Sequence, residues 1–481
     1  MLITTMSIYF IGLKIGKIDI NTKEIAKKEE DRTKKKEIKN KAKRRKKWLV
    51  AIAVIINFGM LIYLKYFNFL ASNINGLFNM IKIPIEVPFK EILLPLGISY
   101  YTLQSISYIV DVYRGKYLPE KHFGKLALFV SFFPQLVEGP IGRYDELGHQ
   151  LYEPHQFNYE RAKFGVQLML WGYFKKIVIA DRAAMFVNEV FANYSNYFGI
   201  PIFVAAALYT IQIYAEFSGC IDIVRGTAQI FGITMAENFK RPFFSKSVQE
   251  FWRRWHITLG TWFKDYIFYP ISFSKVTQNI TAFSKKILKT SYIAKLIPVI
   301  FALFFVWFGN GIWHGASWKY ICYGLYYYVI MVLGMLFEPL MNKIINLLKI
   351  NKEVFSYRLM QMVRTTVFVI IGMLLFRSSD LESFWRMFTG IFTRTNLEMI
   401  SNGKLFAIGL TQSDFIIIII GVLIMFVVGL LQERGHKLRK EISKQNLPFR
   451  WMLYYSIIFA IIIFGIYGQG YVASDFIYGQ F

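Results

Sequence analysis

Long apolar runs separated by short basic segments are the main pattern along this chain. Residues 48–67, 296–313, 415–431 and 451–467 are each apolar over about the 17 to 25 residues that a helix needs to cross a bilayer. In the middle third the apolar runs are interrupted by charged residues, which is typical of broken or tilted helices. The pattern therefore predicts an all-α polytopic membrane protein with about ten membrane-spanning segments.

The composition supports this interpretation. Of the 481 residues, 55% are hydrophobic and 18% are charged, whereas a soluble domain carries about 25% charged residues. A disordered chain is excluded, because such chains are poor in apolar residues. One or two soluble domains would also be a poor fit to these values.

The distribution of the basic residues predicts how the chain is oriented in the membrane. Lys and Arg number 57 against 31 Asp and Glu, a formal net charge of +26. The basic residues concentrate at residues 14–47, 275–295 and 433–450, each next to an apolar run. Such segments are retained on the cytoplasmic side, so we expect a plasma-membrane protein with cytoplasmic basic loops and an outer C-terminus. Contact with anionic lipids is expected. Nucleic-acid binding is not, because no aromatic residues are interleaved for base stacking.

Three regions are predicted: a partial first span at residues 1–13, a basic cytoplasmic loop at 14–47, and a membrane domain at 48–481. Thirteen helical residues cover only about 20 Å of a roughly 30 Å hydrocarbon core, so we expect the chain as given to begin inside a helix. Cys220 and Cys322 lie in apolar surroundings. They are interpreted as small buried hydrophobic residues, with no disulfide framework and no metal site.

Two of the six histidines are candidates for chemistry. Four others lie in polar segments and are expected to be exposed: His122, His149, His155 and His436. His314 lies between two apolar runs, where an ionisable side chain is by default a functional hypothesis. Gly309, Gly311 and Gly315 could break the helix there and let the backbone approach a substrate. The alternative is a histidine at the outer headgroup level between two interfacial tryptophans.

His256 is the second candidate. Read as one helix, residues 251–266 place Trp252, Trp255, Leu259, Trp262 and Tyr266 on one stripe and His256 on the adjacent one. The alternative is a helix that only anchors the chain at the inner membrane surface.

The chain contains no nucleotide-binding glycine loop, no Gly-x-Ser-x-Gly elbow, no His-Glu-x-x-His zinc motif and no cysteine pair. Covalent serine chemistry and metal-dependent hydrolysis therefore lose support. A neutral imidazole that takes a proton from a hydroxyl group would suit acyl transfer from a thioester to an alcohol.

The two histidine segments resemble the membrane-bound O-acyltransferase (MBOAT) family, in its bacterial branch of alginate O-acetylation and teichoic-acid D-alanyl transfer. The matching motifs are RPFF (241–244), FWRRWH (251–256), WFKDY (262–266), GIWHGASW (311–318), LPLGISYYT (94–102), GPIGR (139–143), FSG (217–219) with Asp222, and FIY (476–478). One departure is residues 269–275, YPISFSK, where alginate-type members often have Pro-Leu-Gly-Gly. The departure leaves the glycan open.

The resemblance implies a fold and a reaction. The fold would be a ring of tilted transmembrane and interfacial helices around a central tunnel. His314 would act as the general base, with His256 assisting, Asn310 and Trp313 shaping the chamber, and Arg254 with Asp265 holding the segment together. No bound cofactor is implied.

The resemblance also implies the substrates. The donor would be a cytoplasmic acyl thioester such as acetyl-CoA. The acceptor would be an extracytoplasmic polysaccharide, reached through a partner acetyltransferase. D-alanyl transfer to teichoic acid is the alternative within the family. A transporter or lipid flippase is the alternative from another class; inverted repeats would favour it.

Overall fold

A computed structural model describes residues 1–136, 138–289, 292–393 and 395–467. The chain forms two compact units, one of Met1–Tyr159 with Ala228–Ala236 and one of Glu160–Thr227 with the chain from Glu237 onward. Among the described residues the only β-pairing is a one-residue antiparallel bridge between Phe239 and Trp255. The all-α prediction is therefore confirmed. The FIY motif at 476–478 lies outside the described residues.

The first unit contains seven helices and a π-helical turn, Ile62–Tyr66, that joins the second helix to the third. The predicted domain boundaries at residues 13 and 47 stay predictions. The helices are α1 (Leu2–Lys28), α2 (Arg32–Leu61), α3 (Phe67–Met80), α4 (Ile98–Arg114), α5 (Phe123–Ser131), α6 (Phe133–Leu136) and α7 (Tyr144–Tyr152).

The basic segment 14–47 is helical in the structure, except for residues 29–31. The predicted basic loop therefore has a helical backbone, and its assignment as a cytoplasmic loop stays a prediction. Lysine, arginine and glutamate are good helix formers. Asp31 also caps α2 by accepting a hydrogen bond from the Thr33 backbone N–H at 2.7 Å. The side of the membrane that this segment faces stays a prediction.

The second unit contains the remaining helices and both candidate histidines. Its longest helices, α10, α15, α16 and α17, lie on either side of the two histidine segments in the sequence. The helices are α8 (Tyr159–Tyr173), α9 (Asp181–Ala192), α10 (Ile200–Ile230), α11 (Val248–Arg254), α12 (Ile257–Phe263), α13 (Tyr269–Ser272), α14 (Lys275–Leu288), α15 (Tyr292–His314), α16 (Trp318–Leu347), α17 (Phe355–Arg377), α18 (Leu381–Thr393), α19 (Glu398–Ser401), α20 (Gln412–Glu433), α21 (Leu438–Ser443) and α22 (Leu447–Phe464).

Seven stretches of the described chain are long and apolar enough to cross a membrane, judged by length and composition. They confirm a polytopic membrane protein with fewer candidate spans than the roughly ten expected. The ring of tilted helices around a tunnel stays a prediction. The stretches are Arg32–Met80, Ile200–Ile230, Tyr292–His314, Trp318–Leu347, Phe355–Arg377, Gln412–Glu433 and Leu447–Phe464.

The glycines near His314 allow two helices to pack closely, and they do not break the helix as the sequence suggested. α15 continues through Gly309 and Gly311 and ends at His314. A Cβ on Gly311 would lie 2.5 Å from the Tyr320 carbonyl oxygen, and one on Gly324 would lie 2.2 Å from that of Trp307. Because neither position has room for a side chain, α15 and α16 come into backbone contact at this crossing.

Ion pairs fill part of the interior of the second unit. Lys175 and Lys176 lie in a π-helical segment, Phe174–Ala180, and both side chains are buried. Each lysine pairs with carboxylates, as buried charges must. The pairs are Lys175 with Asp222 (2.7 Å), Lys176 with Asp181 (2.6 Å) and Glu216 (3.1 Å), and the neighbouring Arg182 with Asp414.

Candidate active site

The backbone turns sharply at His256, so residues 251–266 do not form the single helix that their periodicity suggests. α11 ends at Arg254, α12 begins at Ile257, and His256 has a left-handed φ of 45°. The cause is backbone pairing with an extended segment upstream. Lys240 N–H donates to the Arg254 carbonyl at 2.9 Å, and Ile257 N–H donates to the Asn238 carbonyl at 3.0 Å. The predicted tryptophan stripe is therefore divided between two helices.

Asn238 holds the His256 imidazole. The side chains of both residues are buried, and His256 Nδ1 lies 3.2 Å from Asn238 Oδ1. The same oxygen accepts hydrogen bonds from the Thr258 backbone N–H at 3.0 Å and from Thr258 Oγ1 at 2.9 Å. A backbone N–H can only donate, which identifies this Asn238 atom as the acceptor. His256 Nδ1 therefore carries the proton, and the Nε2 atom is left as the basic nitrogen of the ring.

His256 is also electrically neutral. It lies outside the candidate spans, and burial lowers its pKa to about 3. Removing an imidazolium from water disfavours the charged form. The ring can therefore accept a hydrogen bond near pH 7 without carrying a proton of its own on Nε2.

Trp313 lies between the two candidate histidines. Its indole centroid is 5.8 Å from the His256 ring and 5.0 Å from the His314 ring. On the other side of His256, the Phe217 ring stands edge-on at 4.9 Å. The structure thus brings the two histidine segments together on either side of one buried indole.

Aromatic walls fix the orientation of His314. The Tyr323 ring lies 5.6 Å away at an interplanar angle of 88°, and the Phe376 ring lies 5.2 Å away at 89°. His314 itself is only 4% exposed. It therefore lies in the aromatic interior of the second unit, and its depth in the membrane stays a prediction.

The weaker candidates divide into two groups. Asn310 lies four residues before His314 on α15, and its buried Oδ1 accepts no hydrogen bond from any described residue. Arg254 pairs with Glu250 at 2.8 Å and with Glu433 at 2.9 Å. The expected partner, Asp265, is half-buried in the π-helical segment Lys264–Phe268. The structure therefore supports Asn310 and Trp313 as neighbours of the site but separates Arg254 from Asp265.

The four remaining histidines are exposed, as expected from their polar surroundings. Sequence reasoning overlooked two site residues, Asn238 and Phe376, and it named Phe217 only as part of the FSG motif at 217–219. Asn238 could have been noticed as a polar residue three positions before the RPFF motif at 241–244. Phe376 carries no comparable signal, since it is one of 46 phenylalanines in the chain.

Comparison with known proteins gives consistent matches. The model of the membrane-bound O-acyltransferase family matches residues 121–283, a range that includes His256 and ends before His314. The chain is 31% identical over 387 residues to the probable alginate O-acetylase AlgI of Pseudomonas syringae, covering 80% of this chain and 64% of that protein. It is 30% identical to the protein of the same name in Pseudomonas putida, covering 80% and 68%.

A relative that is named for a different activity also matches. The chain is 29% identical over 251 residues to the teichoic acid D-alanyltransferase of Bacillus subtilis, covering 50% of this chain and 59% of that protein. The chain therefore spans less than two thirds of the length of the Pseudomonas syringae and Bacillus subtilis relatives, and slightly more than two thirds of the Pseudomonas putida relative.

Proposed function

Because the chain belongs to the membrane-bound O-acyltransferase family, we propose that it transfers an acyl group, in the simplest case acetyl, from a thioester donor to a polysaccharide hydroxyl group. The observation that carries this proposal is that the buried Trp313 indole packs against both the His256 and the His314 ring. Alginate O-acetylases match a larger share of this chain than the D-alanyltransferase does, which favours acetyl over D-alanyl.

His314 acts as the general base in this reaction. Its imidazole takes the proton of the acceptor hydroxyl while the hydroxyl oxygen attacks the thioester carbonyl carbon. A C–O bond forms, the C–S bond breaks, and the departing thiolate takes the proton from the imidazolium. The products are an ester and a free thiol, no net proton is consumed, and no cofactor is needed.

His256 has an assisting role on the donor side. Because Nδ1 carries the proton, Nε2 is the hydrogen-bond acceptor of the ring. It can accept a hydrogen bond from an N–H or O–H group of the thioester substrate without competing with His314 for the transferred proton. Asn310, with an unused buried acceptor, contributes a further polar contact to the chamber.

The charge distribution sets the proposed direction of transfer. The basic segments would face the cytoplasm, where thioester donors are made, and the polysaccharide would be modified outside, through a partner acetyltransferase. The C-terminus would then lie outside. Because the chain belongs to an acyltransferase family, the alternative of a transporter or lipid flippase loses support.

D-alanyl transfer to teichoic acid is the second candidate, favoured by the Bacillus subtilis relative. The test uses the full chain in lipid nanodiscs with two donors: acetyl-CoA and a D-alanyl carrier protein. Release of CoA that depends on an added glycan would support the acetyl proposal. Turnover only with the carrier protein would replace it, and turnover with neither donor would overturn both.

Mass spectrometry of the cell-surface polysaccharide, with and without this protein, then identifies the acyl group and the acceptor. An unchanged acyl content would contradict the proposed role.

A further inference from the structure

A groove of about 490 Å³ lies in the first unit, between α1 and α2. Three residues, 29–31, join these helices, which run antiparallel as a hairpin. Two contacts fix their register: Lys46 Nζ pairs with an Asp19 carboxylate oxygen at 2.7 Å, and Asn57 Nδ2 donates to Ser7 Oγ at 2.9 Å. The volume of the groove is within the range of small-molecule sites.

The groove is positively charged. Lys14 and Lys17 of α1 and Arg45 of α2 line it, and none of the described residues in its lining is acidic. All three side chains are exposed, and none of them forms an ion pair with a described residue. Asp19, the carboxylate on the same stretch of α1, is already paired with Lys46. Three neighbouring cations without a counter-charge in the described chain attract an anion.

Most of the remaining lining is apolar. It includes Trp48 and Leu49 of α2 and Ile18 of α1. The Trp48 side chain is 64% exposed. Tryptophan is enriched where a membrane meets water, because its ring is apolar and its N–H group is polar. A small soluble anion gains nothing from this apolar surface, whereas a lipid does.

The groove lies where both helices change from apolar to charged sequence. α1 has no charged residue before Lys14, and α2 has none from Trp48 to its end at Leu61. Beyond the groove both helices are rich in lysine, and α2 also in arginine. Such a change is typical of the boundary between the hydrocarbon core and the headgroups, where basic side chains reach toward the phosphates.

Exposed apolar side chains continue from the groove along both helices. Phe10 lies four residues before Lys14 on α1, and Ile52 and Ile55 lie four and seven residues after Trp48 on α2. Residues at these spacings share one face of a helix. Phe10, Ile52 and Ile55 are all exposed. Because the helices are antiparallel, these three side chains extend from the same end of the groove and form an apolar track.

We propose that this groove binds one anionic phospholipid. Its phosphodiester contacts Lys14, Lys17 and Arg45, and an acyl chain follows the apolar track. Asn21 also lines the groove, where its amide can form hydrogen bonds with a headgroup hydroxyl. The continuity of the basic groove with the apolar track selects a lipid over a free phosphate. The site does not depend on the proposed acyl transfer.

The test measures the apparent Kd of phosphatidylglycerol for the full chain in phosphatidylcholine nanodiscs, by native mass spectrometry. The variant Lys14→Gln/Lys17→Gln/Arg45→Gln removes the three groove cations, all at exposed positions. We expect it to bind phosphatidylglycerol about tenfold more weakly, since basic side chains near an anionic lipid each add to its affinity.

The matched control is Lys39→Gln/Lys43→Gln/Arg44→Gln. It removes the same number of positive charges from exposed positions on α2 that do not line the groove. The control should bind phosphatidylglycerol as the unmodified chain does. An equal Kd in the groove variant and the control would overturn the proposed site, because net charge alone would then explain the binding.

Trp48→Ala is a second variant, which keeps every charge. It should bind phosphatidylglycerol several-fold more weakly, because the apolar ring is lost. An unchanged Kd in Trp48→Ala would overturn the lipid assignment in favour of a site for phosphate alone.

Water-soluble anions separate a lipid site from a phosphate site. We expect neither inorganic phosphate nor sn-glycerol 3-phosphate to displace phosphatidylglycerol from the unmodified chain. Displacement by either anion would show a phosphate site and overturn the lipid assignment. Retention of phosphatidylcholine as tight as that of phosphatidylglycerol would overturn the proposed selection by charge.

Discussion

Asn238 Oδ1 lies 3.2 Å from His256 Nδ1 and accepts two further hydrogen bonds from Thr258. One oxygen atom therefore fixes both the start of α12 and the tautomer of a buried imidazole. Asn238 contacts no reacting atom in the proposed mechanism, so it is a positioning residue that acts through His256.

Replacing Asn238 should impair acyl transfer through the orientation of His256. Asn238→Ala removes the acceptor, and we expect transfer to fall about 10-fold to 100-fold, as for other residues that orient a functional histidine. Asn238→Asp keeps the acceptor and adds a negative charge, which raises the pKa of His256. It should restore part of the activity and introduce an acidic limb into the pH–rate profile.

Thr258→Val is the matched control for Asn238. It removes the hydroxyl hydrogen bond to the same oxygen but leaves the His256 contact in place. A pH profile that is identical in all three variants would show that Asn238 has only a structural role.

His314→Ala should abolish transfer without unfolding the chain. Loss of a general base costs about 100-fold to 10,000-fold in rate, and the rate of thiol release with acetyl-CoA and acceptor measures it. His149→Ala, an exposed substitution on α7, is the control and should keep full activity. Activity retained in His314→Ala, with unchanged thermal stability, would remove His314 from its catalytic role.

The neutral His256 predicts lower stability in acid. Its folded pKa of about 3 lies below the ordinary value of 6.5, so protonation favours the unfolded chain. The contribution of neutral His256 to the free energy of unfolding is fully present above pH 6.5. Below pH 6.5 it declines by about 1.4 kcal/mol per pH unit until the pH reaches the folded pKa. Thermal midpoints at pH 7 and pH 5 measure this decline.

His256→Gln should show a smaller decline in thermal midpoint between pH 7 and pH 5 than the unmodified chain. His155→Gln, at an exposed position, controls for the loss of any histidine. A decline that is the same in both variants would mean that His256 is not the group responsible.

The crossing of α15 and α16 should not tolerate a methyl group at Gly324. Gly324→Ala places a Cβ 2.2 Å from the Trp307 carbonyl oxygen, so the helices must separate. We expect a loss of about 2 kcal/mol in the free energy of unfolding, seen as a lower thermal midpoint. Since His314 ends α15, transfer should fall as well.

Gly334→Ala, on the same helix, is the control for Gly324→Ala. No heavy atom lies within 4 Å of its added Cβ. Its thermal midpoint should stay equal or rise, because alanine is the better helix former by about 1 kcal/mol. If the thermal midpoint fell equally in both variants, the cause would be helix propensity or lipid contact and not the crossing of α15 and α16.

The sequence predicts the parts of this fold that depend on local composition. The hairpin of α15 and α16 follows from two apolar runs around His314, and the exposure of His155 or His436 follows from polar neighbours. The turn at His256 could not be predicted, because Asn238 and Lys240, far upstream of it, impose it. The Arg254 partner was missed for the same reason, since Glu433 is 179 residues away.

The interior ion pairs have a consequence for biogenesis. A lysine or arginine at the centre of an isolated helix costs about 2.5 to 3.5 kcal/mol to insert into the bilayer. Lys175 and Lys176 are neutralised by Asp222 and Glu216 of α10. Pairing with α10 therefore offsets this cost for both lysines in the folded chain.

Arg182 gains its partner later in synthesis, because Asp414 lies 232 residues downstream, in the first turn of the candidate span α20. Until that span is synthesised, Arg182 has to stay in contact with water or with a membrane chaperone. Synthesis of α20 is thus the step that supplies the carboxylate partner of this buried charge.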